Sequence, residues 1–294
     1  MNNLGNNSLA PGSGVPLALR KPQRKAPVTI IVGIVSKDAI ILASDSQTTF
    51  GTVAQLDVEK ITKLRFSDAV ALVAQSGSAV HSGRAVEILE DLAKDQSLTD
   101  YRTVADLAQK AMRSLKDELR FQNGDCTMDW LHEHMLKNGT CCELMLAYFF
   151  DGKPYIYTID LMMGIANRKT SHYAAIGCGS NLGNYLLAEH AKPNMESEFA
   201  AVTSIYVVEN VKKHDAFCGG PTKIGAVRRP PKPNCHSWDV EIFTDEKIDG
   251  IAKRLELIDI STKEIRTAKI QESLQVIADE TASRQPGTPA KIRE

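Results

Sequence analysis

The order of strand-like and helix-like segments is the strongest constraint on the fold of this chain. Short β-branched runs come in pairs separated by brief polar turns, as in residues 29–35 and 39–43, and such pairs predict antiparallel hairpins. Apolar residues at helical spacing then occupy 80–93 and 103–121, which predicts two successive helices. Since strands and helices do not alternate one by one, the pattern argues against a doubly wound parallel sheet.

The rest of the chain repeats this arrangement. Further strands are predicted at 61–66, 69–74, 142–150, 153–160, 171–176, 222–227 and 237–243, and further helices at 181–191, 196–213 and 262–282. Residues 122–140 are predicted to be irregular and are interpreted as an insertion between a helix and a strand. We therefore predict an α+β fold in which antiparallel sheets stack face to face under helical layers.

The two ends of the chain differ from its middle. Residues 1–28 are rich in Pro, Gly and Asn and hold four basic residues and no acidic one, a composition typical of a disordered leader or propeptide. The folded domain is predicted at 29–245. Residues 246–294 are predicted to form a C-terminal extension with one helix.

Charge and hydropathy exclude some classes of function. The net charge of −1 argues against a strongly basic nucleic-acid-binding protein. Apolar runs such as Leu144–Phe150 fall short of the roughly 20 residues that span a bilayer, and the N-terminus lacks a secretory signal. We therefore expect a cytoplasmic protein with no nucleic-acid or membrane partner, whose six cysteines are free thiols.

Several polar residues stand at the ends of the predicted strands. Asp45 closes the second strand in LASDSQTT, Lys60 precedes the third in VEKITKL, and Gly77 lies at a strand-to-helix junction. Taken singly, each has a plain structural explanation as a cap, a solvated charge or a turn residue.

Taken together, these segments resemble the proteasome β-subunits and the bacterial HslV peptidase. TIIVGIVSKDAIILASDSQTTFG resembles the start of those proteins, and Thr29 falls on their catalytic N-terminal threonine. Asp45 falls on the family aspartate and Lys60 on the catalytic lysine, although the spacing from threonine to lysine is one residue shorter than usual. SGSAVHSGRAVEIL resembles the junction that supplies an oxyanion-hole amide, here Gly77.

The second half of the chain carries the same resemblance. AIGCGSNLGNYLL resembles the turn that opens the family's third helix, with Cys178 in place of a serine that supports the nucleophile. HDAFCGGPTKIGAV resembles the segment after the fourth helix, with Asp215 on the family aspartate and Cys218 in place of its serine. A thiol is a weaker hydrogen-bonding group than a hydroxyl. The alternative is that both cysteines are small buried apolar residues.

The resemblance implies a four-layer αββα sandwich and hydrolysis of peptide bonds through an acyl-enzyme, with the Thr29 hydroxyl as nucleophile and its free α-amine as base. It further implies a peptide or unfolded-protein substrate, self-association into rings and a possible ATPase partner. No cofactor or metal is expected. The implied substrate-binding positions are Gln47, Thr49, Gln75 and Ala79.

Five potential metal ligands lie between residues 126 and 142. Two histidines and three cysteines fall close together, but their spacing matches no common zinc pattern. These residues are Cys126, His132, His134, Cys141 and Cys142.

Three alternatives remain open from the sequence. Val28 precedes Thr29, where family propeptides normally end in Gly, and a β-branched residue disfavours the strained turn that autocatalytic cleavage requires. A non-catalytic structural or regulatory subunit is therefore one alternative. An amidase of the N-terminal-nucleophile superfamily that acts on a small molecule is the second, and a β-sandwich binding module is the third.

Overall fold

The structure is a computed structural model, which describes residues 29–50, 53–138, 140–231, 239–257, 269 and 271. The strands are β1 (Ile31–Val35), β2 (Ala39–Ser44), β3 (Thr48–Phe50), β4 (Val53–Gln55), β5 (Ile61–Arg65), β6 (Val70–Gly77), β7 (Cys142–Phe150), β8 (Lys153–Asp160), β9 (Asn167–Arg168), β10 (Tyr173–Ile176), β11 (Lys223–Arg228) and β12 (Val240–Ile242). The helices are α1 (Ala79–Ala93), α2 (Thr103–Gln122), α3 (Met128–Asn138), α4 (Ser180–His190) and α5 (Ser197–His214). Residues 245–257 are also helical and are named α6.

Ten of these strands form two antiparallel sheets. The first sheet has the order β10-β1-β2-β11-β12 and the second the order β5-β6-β7-β8-β9. Helices α4 and α5 cover the outer face of the first sheet, and α1 and α2 cover that of the second. A third apolar cluster lies between the sheets. This confirms the predicted α+β sandwich of two antiparallel sheets flanked by helices.

Strand β1 shows why the sheets have this arrangement. Side chains alternate between the two faces of a strand, and here both faces are covered. Ile31 packs between the sheets, whereas Val32 and Ile34 pack under the helices. An almost continuous β-branched sequence is therefore buried on both sides, as a central layer of a four-layer sandwich requires.

Two glycines let the sheets approach closely around Leu42. Gly33 and Gly225 flank Leu42 on the neighbouring strands β1 and β11. A Cβ atom at Gly33 would lie 2.8 Å from Met145 Sδ, and one at Gly225 would lie 2.9 Å from Leu72 Cδ1. Side chains of the second sheet already fill the space that a larger residue would need. The row formed by Gly33, Leu42 and Gly225 therefore sets the distance between the two sheets.

The interpretation of residues 122–140 as irregular was wrong in part. They contain helix α3, which buries Leu131 and Met135 against the cluster under α1 and α2. These two side chains lie four positions apart and share one helix face. Since that contact is the main apolar anchor of the helix, tertiary packing rather than a strong sequence period holds it in place. The small β3–β4 hairpin was not predicted either.

The predicted leader, 1–28, and most of the predicted helix at 262–282 lie outside the described residues. The two described residues of that segment, Lys269 and Gln271, are helical. A further helix begins at residue 245, and Ile248 on it is buried against the cluster under α4 and α5. The division of the chain at 28 and 245 stays a prediction. Within the described part, no helix combines the length and apolarity needed to cross a membrane.

Leu42→Ala tests the packing between the sheets. Leu42 is fully buried, and truncation of such a leucine costs about 2–5 kcal/mol of unfolding free energy because a cavity remains. Urea unfolding followed by circular dichroism measures the change. Leu136→Ala is the matched control, because Leu136 is 67% exposed and exposed substitutions stay within about 0.5 kcal/mol. Equal effects of the two substitutions would contradict the described core.

Candidate active site

Thr29 lies two residues before β1 and is buried at 2% exposure. The loop after β10 encloses its backbone. The amide of Gly179 donates to the Thr29 carbonyl oxygen at 3.3 Å, and a Cβ atom on Gly177 would collide with that same carbonyl. Gly177 has φ +90°, a conformation open to glycine. The Thr29 backbone nitrogen donates to Cys178 Sγ at 3.2 Å, so this loop holds the nitrogen that processing would turn into an amine.

Asp45 directly follows β2, and its backbone extends the pairing with β1. Its amide donates to the Ile30 carbonyl at 3.2 Å, and its carboxylate accepts from the Ile30 amide at 3.1 Å. The second carboxylate oxygen accepts from the Gly219 amide at 3.1 Å. These bonds fix the carboxylate beside Thr29 at the end of the first sheet.

Lys60 brings a positive charge to the same place from the second sheet. It lies immediately before β5 and is 3% exposed. Its Nζ donates to Thr29 Oγ1 at 2.8 Å, to Asp45 Oδ1 at 2.8 Å and to the Gln47 carbonyl at 2.6 Å. An ammonium carries three donors, so every proton of this buried charge has an acceptor.

The ion pair lies in a strongly desolvated setting. Burial lowers the pKa of Lys60 and raises the pKa of Asp45, and the attraction between the two groups opposes both shifts. Desolvation disfavours each charge alone, whereas the partner favours it. The charged state of either residue therefore depends on the other.

Two sulfurs and a carboxylate lie on the far side of Thr29. The Sγ atoms of Cys178 and Cys218 are 3.9 Å apart. A hydrogen bond between the thiols lowers the pKa of Cys178 and raises the pKa of Cys218. A carboxylate oxygen of Asp215 lies within 4.8 Å of both sulfurs.

A cavity of about 60 Å³ opens beside Thr29. It brings together residues from β3, the segment before β5, the end of β6 and the first turn of α1. Its described lining consists of Thr29, Thr48, Val58, Lys60, Gln75, Gly77, Ala79 and Ser82.

Gly77 ends β6 at the wall of this cavity. It has φ +98°, and a Cβ atom there would collide with the carbonyl oxygen of Cys141 on the neighbouring segment. Only glycine meets both conditions without strain. The chain can therefore turn sharply from β6 into α1 at the wall of the cavity that Thr29 also lines.

Two of the four predicted substrate-binding residues line the same cavity. Gln75 and Ala79 line it, and no described residue hydrogen-bonds the buried Oε1 of Gln75. Gln47 reaches the site through its carbonyl bond to Lys60. Thr49 lies on β3, next to Thr48.

The sequence interpretation missed four contributors. Gly219 supplies an amide to Asp45 and lies in the FCGGP segment, where its glycine pair was the available signal. Thr48, Val58 and Ser82 line the cavity, and nothing in their local pattern separates them from ordinary strand, loop and helix residues.

Comparison with known proteins defines the class. The family described as "Proteasome subunit" matches residues 28–227, which is more than half of the 294 residues. The chain therefore belongs to the proteasome subunit family.

The relatives of this chain are distant. It is 23% identical over 193 residues to proteasome subunit beta 1 of Thermococcus kodakarensis, covering 65% of this chain and 84% of that protein. It is 24% identical over 216 residues to proteasome subunit beta 2 of Staphylothermus marinus, covering 73% of this chain and 92% of that protein.

Solved structures share the fold. Anbu from Yersinia bercovieri, titled an ancestral beta-subunit, has a TM-score of 0.59 at 14% identity over 80% of this chain and 96% of its own. A Gly-1 mutant of Anbu from Hyphomicrobium sp. strain MC1 has a TM-score of 0.61 at 14% identity, over 82% of this chain and 96% of its own.

Substitution of both members of the ion pair tests their mutual dependence. Asp45→Asn or Lys60→Met alone leaves a buried charge without its partner, which costs about 3–5 kcal/mol. The double variant should lose less than the sum of the single variants. Urea unfolding of all four proteins gives the coupling energy.

Lys37→Met serves as the control for that cycle. Its ion pair with Glu196 spans 3.0 Å with side chains 64% and 52% exposed, and such surface pairs contribute about 0–1 kcal/mol. If the double variant loses as much unfolding free energy as the two single variants together, the charges of Asp45 and Lys60 are not coupled.

Proposed function

We propose that this chain is a threonine peptidase that hydrolyses peptide bonds with Thr29 as its N-terminal nucleophile. The observation that carries the proposal is the 2.8 Å contact between Lys60 Nζ and Thr29 Oγ1 in a site where Asp45 compensates the lysine. A threonine hydroxyl is a weak nucleophile at its ordinary pKa. A buried cation on its oxygen favours the alkoxide that develops as the hydroxyl loses its proton.

The reaction needs a base, and removal of residues 1–28 would supply one. The α-amine of Thr29 would take the proton from Oγ1 as this oxygen bonds to the substrate carbonyl carbon. The proton then passes to the leaving amine as the peptide C–N bond breaks, which leaves an ester on Thr29. A water molecule hydrolyses the ester and regenerates the hydroxyl and the amine.

The neighbouring groups have distinct parts in this scheme. Asp45 keeps Lys60 charged and oriented, and the Gly77 amide is assigned to the oxyanion, where such a donor contributes a few kcal/mol. Cys178, with Asp215 and Cys218 behind it, would hold the amine. The contact of the Thr29 nitrogen with Cys178 Sγ at 3.2 Å supports this part.

Substrate binding is proposed along the same cavity. Thr49 on β3 would pair with an extended peptide as an added strand, and Gln47 would support the same segment. Gln75 and Ala79 line the cavity and would contact the side chain next to the cleaved bond. The substrate class is therefore peptides or unfolded protein.

Assembly is part of the same proposal. The relatives are named subunits, which supports self-association of this chain into rings that enclose the sites. The proposal also includes an ATPase ring that delivers substrate. It places the protein in the cytoplasm.

Lys60→Ala is expected to lower hydrolysis of a fluorogenic peptide by roughly 10²-fold or more, because the nucleophile loses its charged partner. Lys63→Ala is the matched control. Lys63 is a half-buried lysine of β5 whose Nζ donates to the Val240 carbonyl at 2.9 Å, outside the cavity lining. Circular dichroism of both variants establishes folding. Turnover of the folded Lys60→Ala protein at the unsubstituted rate would overturn the proposal.

The proposed base, the free α-amine of Thr29, exists only if the purified protein begins at that residue. We expect intact mass and N-terminal sequencing to find Thr29 as the first residue, and an electrophilic peptide probe to acylate its hydroxyl. Thr29→Ser should keep measurable activity, since the hydroxyl remains, whereas Thr29→Ala should have none.

A non-catalytic subunit is the second candidate, and Val28 is the residue that favours it. A β-branched side chain crowds the carbonyl that would have to be attacked to release Thr29. A purified chain that still begins at Met1 or Asn2, and that resists the probe, would establish this candidate and refute the peptidase.

A further inference from the structure

The peptidase scheme gives the two thiols near Thr29 and the neighbouring carboxylate only a supporting role for the amine. Cys178 precedes α4, whereas Asp215 and Cys218 follow α5, so the fold joins residues 40 positions apart. One atom from each side chain lies within 4.8 Å of the other two. A pair of serines would satisfy the supporting role in the scheme, yet both positions carry sulfur.

The distance between the sulfurs distinguishes two kinds of thiol chemistry. A disulfide requires about 2.05 Å between them. Two thiolates on one tetrahedral zinc ion, each at about 2.3 Å, stand about 3.8 Å apart. The observed separation of 3.9 Å, at which the two thiols share a hydrogen bond, is too long for a disulfide and close to the separation that a shared metal ion requires.

The third side chain is also held in position. A tight turn connects Asp215 to Cys218, because the Cys218 amide donates to the Asp215 carbonyl at 3.0 Å. The Phe217 amide donates to Asp215 Oδ1 at 2.9 Å. A carboxylate has about four lone-pair positions, so one amide bond leaves several of them for a cation.

The cation itself would displace the thiol protons, because a metal ion binds the thiolate form of cysteine. Cys178 also stands at the N-terminal end of α4, where the helix dipole favours a negative group.

We propose that Cys178, Cys218 and Asp215 form a binding site for one thiophilic divalent cation of the zinc type. Cys218 is buried and Cys178 is half-buried, and the Thr29 nitrogen lies 3.2 Å from Cys178 Sγ. The fourth ligand there is water. Sequence patterns could not predict this site, because no common metal-binding spacing links its three residues.

An extension of this inference rests on the proposed function. In a processed chain the Thr29 amine, whose nitrogen is 3.2 Å from Cys178 Sγ, would replace the water as fourth ligand. A coordinated amine cannot accept the nucleophile's proton. Zinc would then inhibit the peptidase reversibly, and a chelator would restore its activity.

Cobalt(II) is the probe for the site itself. The full chain, reduced and stripped of metal with a chelator, is titrated with Co²⁺ and followed by absorption. One tetrahedral, thiolate-ligated ion per chain should give charge-transfer and intense d–d bands, which Zn²⁺ should abolish. Cys178→Ser and Asp215→Asn should each weaken Co²⁺ binding by at least roughly 10-fold. Cys126→Ser, which alters a half-buried cysteine outside the group, should leave it unchanged.

The outcomes separate this site from the peptidase. Bands in a chain that keeps its leader support the site even though the peptidase then fails. A processed, active enzyme without thiolate bands overturns the metal site alone. Bands that persist in a folded Cys178→Ser/Cys218→Ser variant, or a Cys178–Cys218 disulfide formed in place of the complex, also overturn it.

Discussion

The buried ammonium of Lys60 is the constraint on which the candidate site depends. A charge at 3% exposure is costly unless acceptors surround it, and here a hydroxyl, a carboxylate and a carbonyl do so. Lys60 enters from the second sheet, whereas Thr29 and Asp45 belong to the first. The site is therefore also the polar junction at one end of an otherwise apolar interface between the sheets.

Close backbone approaches complete this junction. The loop at Gly177 encloses the Thr29 carbonyl and the turn at Gly77 abuts Cys141, each with a positive φ angle. Neither turn leaves space for a Cβ atom. The same enclosure that positions a nucleophile also holds Cys178 beside the Thr29 nitrogen. That nitrogen is the base in the proposed catalysis and a ligand in the proposed metal binding.

Much of the fold was predictable from local pattern. The hairpin strands are β-branched runs separated by short polar turns, and the four helices that cover the sheets have a period of 3.6. Both agree with the structure to within a few residues. Helix α3 was missed because Leu131 and Met135 are its only buried apolar residues, too few to show a period. The β3–β4 hairpin pairs two adjacent three-residue strands, which are too short to show a pattern. The amide of Gly219 reaches Asp45 from a distant segment of the chain, and no local pattern contains such a contact.

The sequence by itself determined the chemical inventory of this protein: a threonine before a β-branched strand, an acid after the next strand, and a lysine before the third. It also determined the antiparallel layering, because paired β-branched runs, the short turns between them and the helical period are local properties. Only the tertiary structure decided that the lysine contacts both other groups, and that two cysteines in distant loops lie 3.9 Å apart. Those distances follow from the stacking of two sheets, and stacking is set by side-chain packing between segments that are not neighbours in the chain.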